Sequence, residues 1–284
     1  MKIRAGAVPE HFFYPWKVWL EKQKSASSEW QWTEFPGGSG DMIKALEENS
    51  LDIAFILSES ALQAASRGAD IELLASFVES PLQWGIFTGN SNPVRRVEDG
   101  KTYAISRFSS GSHLMAVLEA DLRGQLIKED QWRIAGNLEG ARKLLRSGDA
   151  DLFFWERWTT SSLVASGEFR MLSVFPGPWP AFLLCCRKGF MEDEGVEKAI
   201  KFSFKEVCEL AGKIKESPSV YAIEISRVYG IEANLAEEWL AHVVWNRGDH
   251  NGEAFVPGAV DILKKAGLIS QEIPYSAFSF RKVL

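Results

Sequence analysis

Over the first two thirds of the chain, short β-branched and aromatic runs alternate with stretches of helical period, and this alternation constrains the fold more than any other feature. Strands are expected at residues 2–8 (KIRAGAV), 30–35 (WQWTEF), 51–57 (LDIAFIL), 71–78, 83–88, 102–106, 150–156 (ADLFFWE), 170–174 and 181–187. Between them, helix-type spacing runs through WKVWLEKQK, DMIKALEEN, SESALQAASRG, a segment opening at Leu114, NLEGARKLLRS and residues 157–166. Strand–helix–strand order implies parallel strands joined by helical crossovers. The last third is helical, in four segments that each carry a Gly or Pro stop.

A chain of 284 residues is long for one hydrophobic core and comfortable for two lobes. The polar connector GNSNPVRRVEDG, residues 89–100, is the expected first crossing. It divides the chain into a discontinuous lobe, 1–90 plus 190–284, and a second lobe, 91–189. A net charge of -6 and a pI near 5.4 argue against nucleic acid as a partner. Cys185, Cys186 and Cys208 form no CxxC pair and are expected as buried thiols. The histidines, His11, His113, His242 and His250, are not paired at metal-ligand spacing, so neither a metal nor a cofactor is expected. No secretory signal precedes the first strand, and no apolar run of about 18 residues is present, so no membrane insertion is expected. As it stands the sequence reads as cytoplasmic, or as periplasmic with a leader removed.

One internal echo bears on the architecture. KALEENSLDIAF (44–55) and KLLRSGDADLFF (143–154) align without gaps, matching Leu46 with Leu145, Asp52 with Asp151, Ile53 with Leu152 and Phe55 with Phe154. Either it is the common pattern of a helix-to-strand joint, or the two lobes are built alike.

The stretch KTYAISRFSSGSHLMAVLEADLRG (101–124) reads as strand, small polar turn and helix. That order places free backbone N–H groups and hydroxyls at a helix N-terminus, where Ser109, Ser110 or Ser112 either caps the helix or holds an acceptor group of a ligand.

GGSGDMIKALEENSLDIAFILSESALQAASRGADIELLASF, taken with KTYAISRFSSGSH, ARKLLRSGDADLFFWE and the closing SPSVYAIEISRVYGIEANLAEEWLAHVVW, resembles the type II periplasmic binding proteins. The likeness is to the branch that serves ABC importers of sulfonates, nitrate and thiamine-precursor pyrimidines. The resemblance implies an α/β fold of two lobes with mixed, mostly parallel sheets flanked by helices, a ligand held between the lobes by hinge closure, and a transporter's membrane component as partner. Carried over, the ligand contacts are Glu10, His11 and Phe12; Gly38, Ser39 and Gly40; Ser58 and Glu59; and Trp84. From the second lobe they are Arg107, Ser109, Ser110, Gly111, Ser112, His113, Glu156, Arg157 and, at a later turn, Trp179. All fall at or near the carboxyl ends of strands, where ligands of open α/β sheets sit.

Several of these residues have a plainer alternative. His11 is a solvated turn residue or a ligand contact, and Glu59 caps the following helix or faces the ligand. Glu156 and Arg157 point to the cleft or form a surface ion pair, with one of the flanking Trp155 and Trp158 in the core. Trp179, in the stiff turn PGPWP, is expected to stand partly exposed at the cleft. Acidic groups among aromatics suit a cationic or amine-bearing heteroaromatic ligand. The leading reading is a solute-binding protein or ligand sensor without catalytic residues. The alternative is a cytosolic enzyme on the same fold, a lyase or dehydratase or a thiamine-pyrimidine synthase. A regulator's effector-sensing lobe pair lacks support because no N-terminal helix-turn-helix is visible.

Overall fold

A computed structural model describes residues 2–23 and 29–282. The chain divides into two compact units: 1–81, 178–229 and 233–284 form the first, and 82–177 with 230–232 the second.

In the first unit, β1 (Lys2–Ala7), β2 (Glu29–Glu34), β3 (Ile53–Leu57), β4 (Ile71–Val78) and a strand from late in the chain, Phe182–Arg187, form one sheet. Between its early strands run α1 (Tyr14–Lys22), α2 (Ser39–Glu47) and α3 (Ser58–Ser66). In the second unit the strands are β5 (Gln83–Gly89), β6 (Tyr103–Ile105), β7 (Trp132–Ile134), β8 (Leu152–Glu156) and β9 (Phe169–Pro176). Their connections hold α4 (Gly111–Leu122), α5 (Leu138–Ser147) and α6 (Ser161–Ala165). The late strand Phe182–Arg187 is β10, and α7 (Glu194–Glu216), α8 (Pro218–Tyr229), α9 (Ala233–His242) and α10 (Val256–Lys265) complete the first unit. Lys24, the last residue of the helix expected at 16–24, lies outside the described residues.

The sheet orders are β2-β1-β3-β10-β4 and β7-β6-β8-β5-β9. Strand for strand the two follow one plan: β1, β2, β3 and β4 correspond to β6, β7, β8 and β9, and β10 corresponds to β5. In each sheet four strands run the same way, and one, β10 or β5, runs against them. The alternation of elements alone would make every strand parallel. β5 and β10 escape that rule because neither follows a helical crossover. Phe182 starts opposite Leu57 and Trp84 opposite Glu156, so both strands begin at the carboxyl ends of their neighbours and can only run back. These strands also move the expected boundaries: residues 83–89 belong to the second sheet and 182–187 to the first, so the crossings fall at 81–82 and 177–178 rather than near 90 and 190.

The echoed segments are the α2-to-β3 and α5-to-β8 joints. Asn49 and Gly148, equivalent in the alignment, both take left-handed backbone, at φ +55° and +80°. Asn and Gly are the residues that adopt it at least cost. Asp52 and Asp151 then do the same work. The Asp52 carboxylate accepts the Arg4 N–H and the Arg4 and Arg187 guanidinium groups; that of Asp151 accepts the N–H groups of Lys101 and Thr102 and the Asn92 amide. Each carboxylate thus ties the start of its strand to the strand beside it.

Both cores are rich in rings. In the first unit Phe13, Trp16, Phe55 and Phe77 pack at centroid distances of 5.0–6.3 Å. The second is centred on Phe87, Phe153 and Phe169 with Ala104, Ala141 and Leu145. Most of the 18 Phe and 11 Trp are buried. Among the described residues no helix is long and apolar enough to cross a membrane.

Candidate functional site

In the first unit the candidate groups gather where β1 and β3 end. β3 runs straight into α3, so Ser58 and Glu59 occupy the first turn of that helix. The Ser58 hydroxyl donates to the Pro180 carbonyl at 2.6 Å, and Glu59 Oε2 accepts from Trp179 Nε1 at 2.9 Å. Ser39, first residue of α2, accepts the Leu57 N–H on its hydroxyl at 3.2 Å. α2 begins two residues before the expected Asp41, with Gly38 as its N-cap at φ +82°. The left-handed backbone at Gly38 favours glycine there. Gly40 lies within the first turn of α2. Ser39, Ser58, Glu59 and Trp179 therefore stand together.

Glu10 precedes a short 3-10 turn, His11–Phe13. His11 is buried, not solvated: it stacks on Phe12 at 4.6 Å, meets Trp239 of α9 edge-on at 4.3 Å, and leaves Nε2 without a partner. Burial drives its pKa down to about 3, so the ring is neutral. Trp179 departs from expectation too. Its turn is stiff, but the indole is only 4% exposed because its N–H is the donor that satisfies one oxygen of Glu59.

In the second unit Glu156 ends β8, with Trp84 opposite it on β5. Glu156 is 2% exposed, as is Glu59. Its Oε2 accepts from the Thr159 N–H at 2.7 Å and the Thr159 hydroxyl at 2.8 Å, while Oε1 has no partner. Glu59 Oε1 likewise has none. Burial raises both carboxyl groups to about 7, and the hydrogen bonds to Oε2 offset only part of that rise. The Arg157 guanidinium lies over the Trp158 ring at 4.6 Å, and Trp158, not Trp155, is the fully buried member of the flanking pair.

The serine turn resolves into separate roles. Ser110 is the N-cap of α4, which starts at Gly111, three residues ahead of the expected Leu114. Its hydroxyl donates to the Arg107 carbonyl at 2.6 Å and bonds the Ser112 hydroxyl at 3.0 Å, and Ser112 accepts the Ser106 N–H. Both hydroxyls thus brace the turn. Ser109 is exposed, at φ +61°, with its N–H donating to His113 Nδ1 at 3.2 Å. His113 packs edge-on against Phe108 and Trp132, and burial lowers its pKa. Arg107 and the half-exposed Phe108 flank the turn.

Thr159, Tyr229, whose ring stands edge-on to His11 at 6.2 Å, and Trp239 were not anticipated. Thr159 carried a signal, a hydroxyl three residues after an acid at a strand end; Tyr229 and Trp239 come from the far end of the chain and carried none. Among the described residues no cluster of His, Cys, Asp and Glu could hold a metal ion.

Residues 84–174 match the family described as Ca3427-like PBP, a span that covers nearly all of the second unit. Among solved structures, the Candida albicans CA3427 gene product, described as defining a new family with the generic periplasmic binding protein fold, aligns at TM-score 0.87 and 25% identity, over 96% of this chain and 92% of that one. The alkanesulfonate-binding protein SsuA from Xanthomonas axonopodis pv. citri, bound to MOPS, aligns at TM-score 0.79 and 17% identity, over 99% and 98%. The periplasmic aliphatic sulphonate binding protein SsuA from Escherichia coli aligns at TM-score 0.71 and 16% identity, over 99% and 92%. No curated protein matches the chain.

Proposed function

This chain has the periplasmic-binding-protein fold, and from that premise we propose that it is a solute-binding protein, taking a small polar or heteroaromatic molecule, for an ABC-type importer or as a ligand sensor. The observation that carries this reading is the set of buried polar atoms left without partners at the carboxyl ends of strands: His11 Nε2, Glu59 Oε1 and Glu156 Oε1. Each such atom costs about 1–3 kcal/mol; the core indoles of Trp16 and Trp19 lack a partner too, but a buried carboxyl oxygen is the costlier case, and a ligand donor would satisfy it.

Native mass spectrometry of gently purified protein is the direct test. The expected result is a bound small molecule released on denaturation, whose return quenches or shifts the tryptophan emission of Trp84 and Trp179. Protein that carries nothing, and whose emission answers to no compound in a broad metabolite set, would defeat the reading. One observation favours a second reading, an enzyme: two carboxyl groups poised near neutrality are suited to general acid–base work. A change in the mass of the released compound on incubation would select it over binding alone.

A further inference from the structure

An outermost strand offers a row of unpaired N–H and C=O groups, a template on which another strand can pair. The outermost strands are β2 and β4 in the first sheet and β7 and β9 in the second. β4 is covered by its own chain: the Arg281 N–H donates to the Leu73 carbonyl, the Asn251 amide to the Leu74 carbonyl, and the Ser76 N–H to the Asn251 carbonyl. β2 begins with Glu29 and ends with Glu34, so an antiparallel second copy would set like charges directly opposite each other. β7 is three residues long, with Arg133 at its centre.

β9 differs from all three. It runs for eight residues, and among the described residues no backbone hydrogen bond joins it to any segment but β5. The Gly177 N–H donates to the Leu82 carbonyl, so by the alternation of antiparallel pairs Ser173 and Phe175 face β5 and Val174 turns its N–H and carbonyl outward. Met171 and Ser173 are exposed, Leu172, Val174 and Phe175 are half-buried, and none of the five is charged. The one charged residue of the strand, Arg170, donates its guanidinium N–H groups to the Asn90, Asn92 and Val94 carbonyls. In an antiparallel pair of copies centred on Ser173, the two Arg170 would stand about 20 Å apart, well beyond the roughly 8 Å over which exposed charges interact at physiological salt. Charge therefore excludes a second copy at β2 and admits one at β9.

We propose that β9 is the docking edge for a second copy of this chain, the Met171–Phe175 segments of the two copies pairing antiparallel about a twofold axis near Ser173 and joining their sheets into one. The same patch serves both copies, so the assembly closes at two. A bulge leaves Leu172 without a partner on β5, and Pro176 ends the run, so the paired segment is short and the contact reversible. This inference stands apart from the solute-binding reading.

Sedimentation equilibrium of the full chain tests it. The expected result is a reversible equilibrium in which mass moves from one chain towards two as concentration rises, and stops there. Val174→Pro removes the outward N–H without breaking a bond to β5, and should weaken dimerisation at least about tenfold. Ser173→Lys and Ser173→Glu should each weaken it about fivefold by setting like charges across the axis, and an equimolar mixture of the two should recover it. That recovery separates a contact from a folding defect, and it still decides the matter if the proline variant fails to fold. Gln31→Lys, on β2, should change nothing. A parent that stays monomeric to millimolar concentration overturns the proposal, whether the edge is solvated or taken by a strand of a different protein. So do a dimer that the Ser173 variants leave intact, a mixture that associates no better than either variant alone, a dimer that Gln31→Lys dissolves, and growth past two copies.

Discussion

At the residue scale, burying a carboxyl group with one oxygen unmatched costs free energy only once the group ionises, so Glu59 and Glu156 make stability depend on pH in a definite direction. With folded values near 7 against an ordinary 4.5, the native state holds protons that the unfolded chain has released between those values. Their contribution is complete below about pH 4.5 and is lost as pH rises through about 7, each on the order of 3 kcal/mol. Urea denaturation from about pH 5 to about pH 8 should show wild-type stability falling relative to Glu59→Gln; a constant difference would mean that the carboxylate is paired. His11 acts in the opposite sense. Its folded value near 3 lets the unfolded chain take up a proton first, so stability is lost as pH falls below about 6.5, and His11→Phe should flatten that acid limb. Ser109 gives a backbone test. At φ +61° a β-branched side chain is strained, so Ser109→Val should be less stable than Ser109→Gly by about 1–2 kcal/mol in the same assay.

At the scale of elements, each sheet is tied at one strand start by an aspartate. Asp52 is almost wholly buried and holds Arg4 and Arg187 together. Burial alone would raise its pKa, but the hydrogen bonds from Arg4 and Arg187 outweigh that and leave it lowered. Asp151 follows the same balance, with Asn92 and the N–H groups of Lys101 and Thr102 as donors. A lowered folded value means stability that is present above the ordinary carboxylate range and lost as pH falls through the folded value, on the acid side of about pH 4. Asp52→Ala should cost about 3 kcal/mol, since two guanidinium groups lose their buried partner, and Asp151→Asn about 1–3 kcal/mol, since N–H groups then face an amide donor. Hydrogen exchange should localise the first loss to β1 and β3 and the second to β6 and β8. Both aspartates were legible in the sequence as the acidic position of the echo; that each binds the neighbouring strand was not, because the partners Arg4 and Thr102 lie almost fifty residues away.

At the scale of the whole molecule, a ligand that binds only the folded chain stabilises it by about 2.7 kcal/mol at a hundred times its Kd. A true ligand should therefore raise the melting temperature with a logarithmic dependence on concentration, a dependence that a nonspecific additive does not follow. Much of this architecture was readable beforehand. Period-2 and period-3.6 patterns are local, so they located nearly every strand and helix, and the repeated joint at 44–55 and 143–154 offered two units of one plan as one of its two readings, the one that the sheet orders match. The candidate residues came from the family resemblance, and the element order agreed with it by placing them at or near strand ends. The sequence could not assign β5 and β10 to their sheets, since strand direction depends on where the chain re-enters a sheet and not on composition. Nor could it separate Ser110 and Ser112, whose hydroxyls are consumed within their own turn, from Glu59 and Glu156, each left with one oxygen unmatched. That distinction is a count of hydrogen-bond partners, and Trp179 reaches Glu59 from 120 positions along the chain. Local pattern determined the elements and their order; only tertiary structure decided which polar atoms remain unsatisfied, because satisfaction is set by neighbours that folding brings from afar.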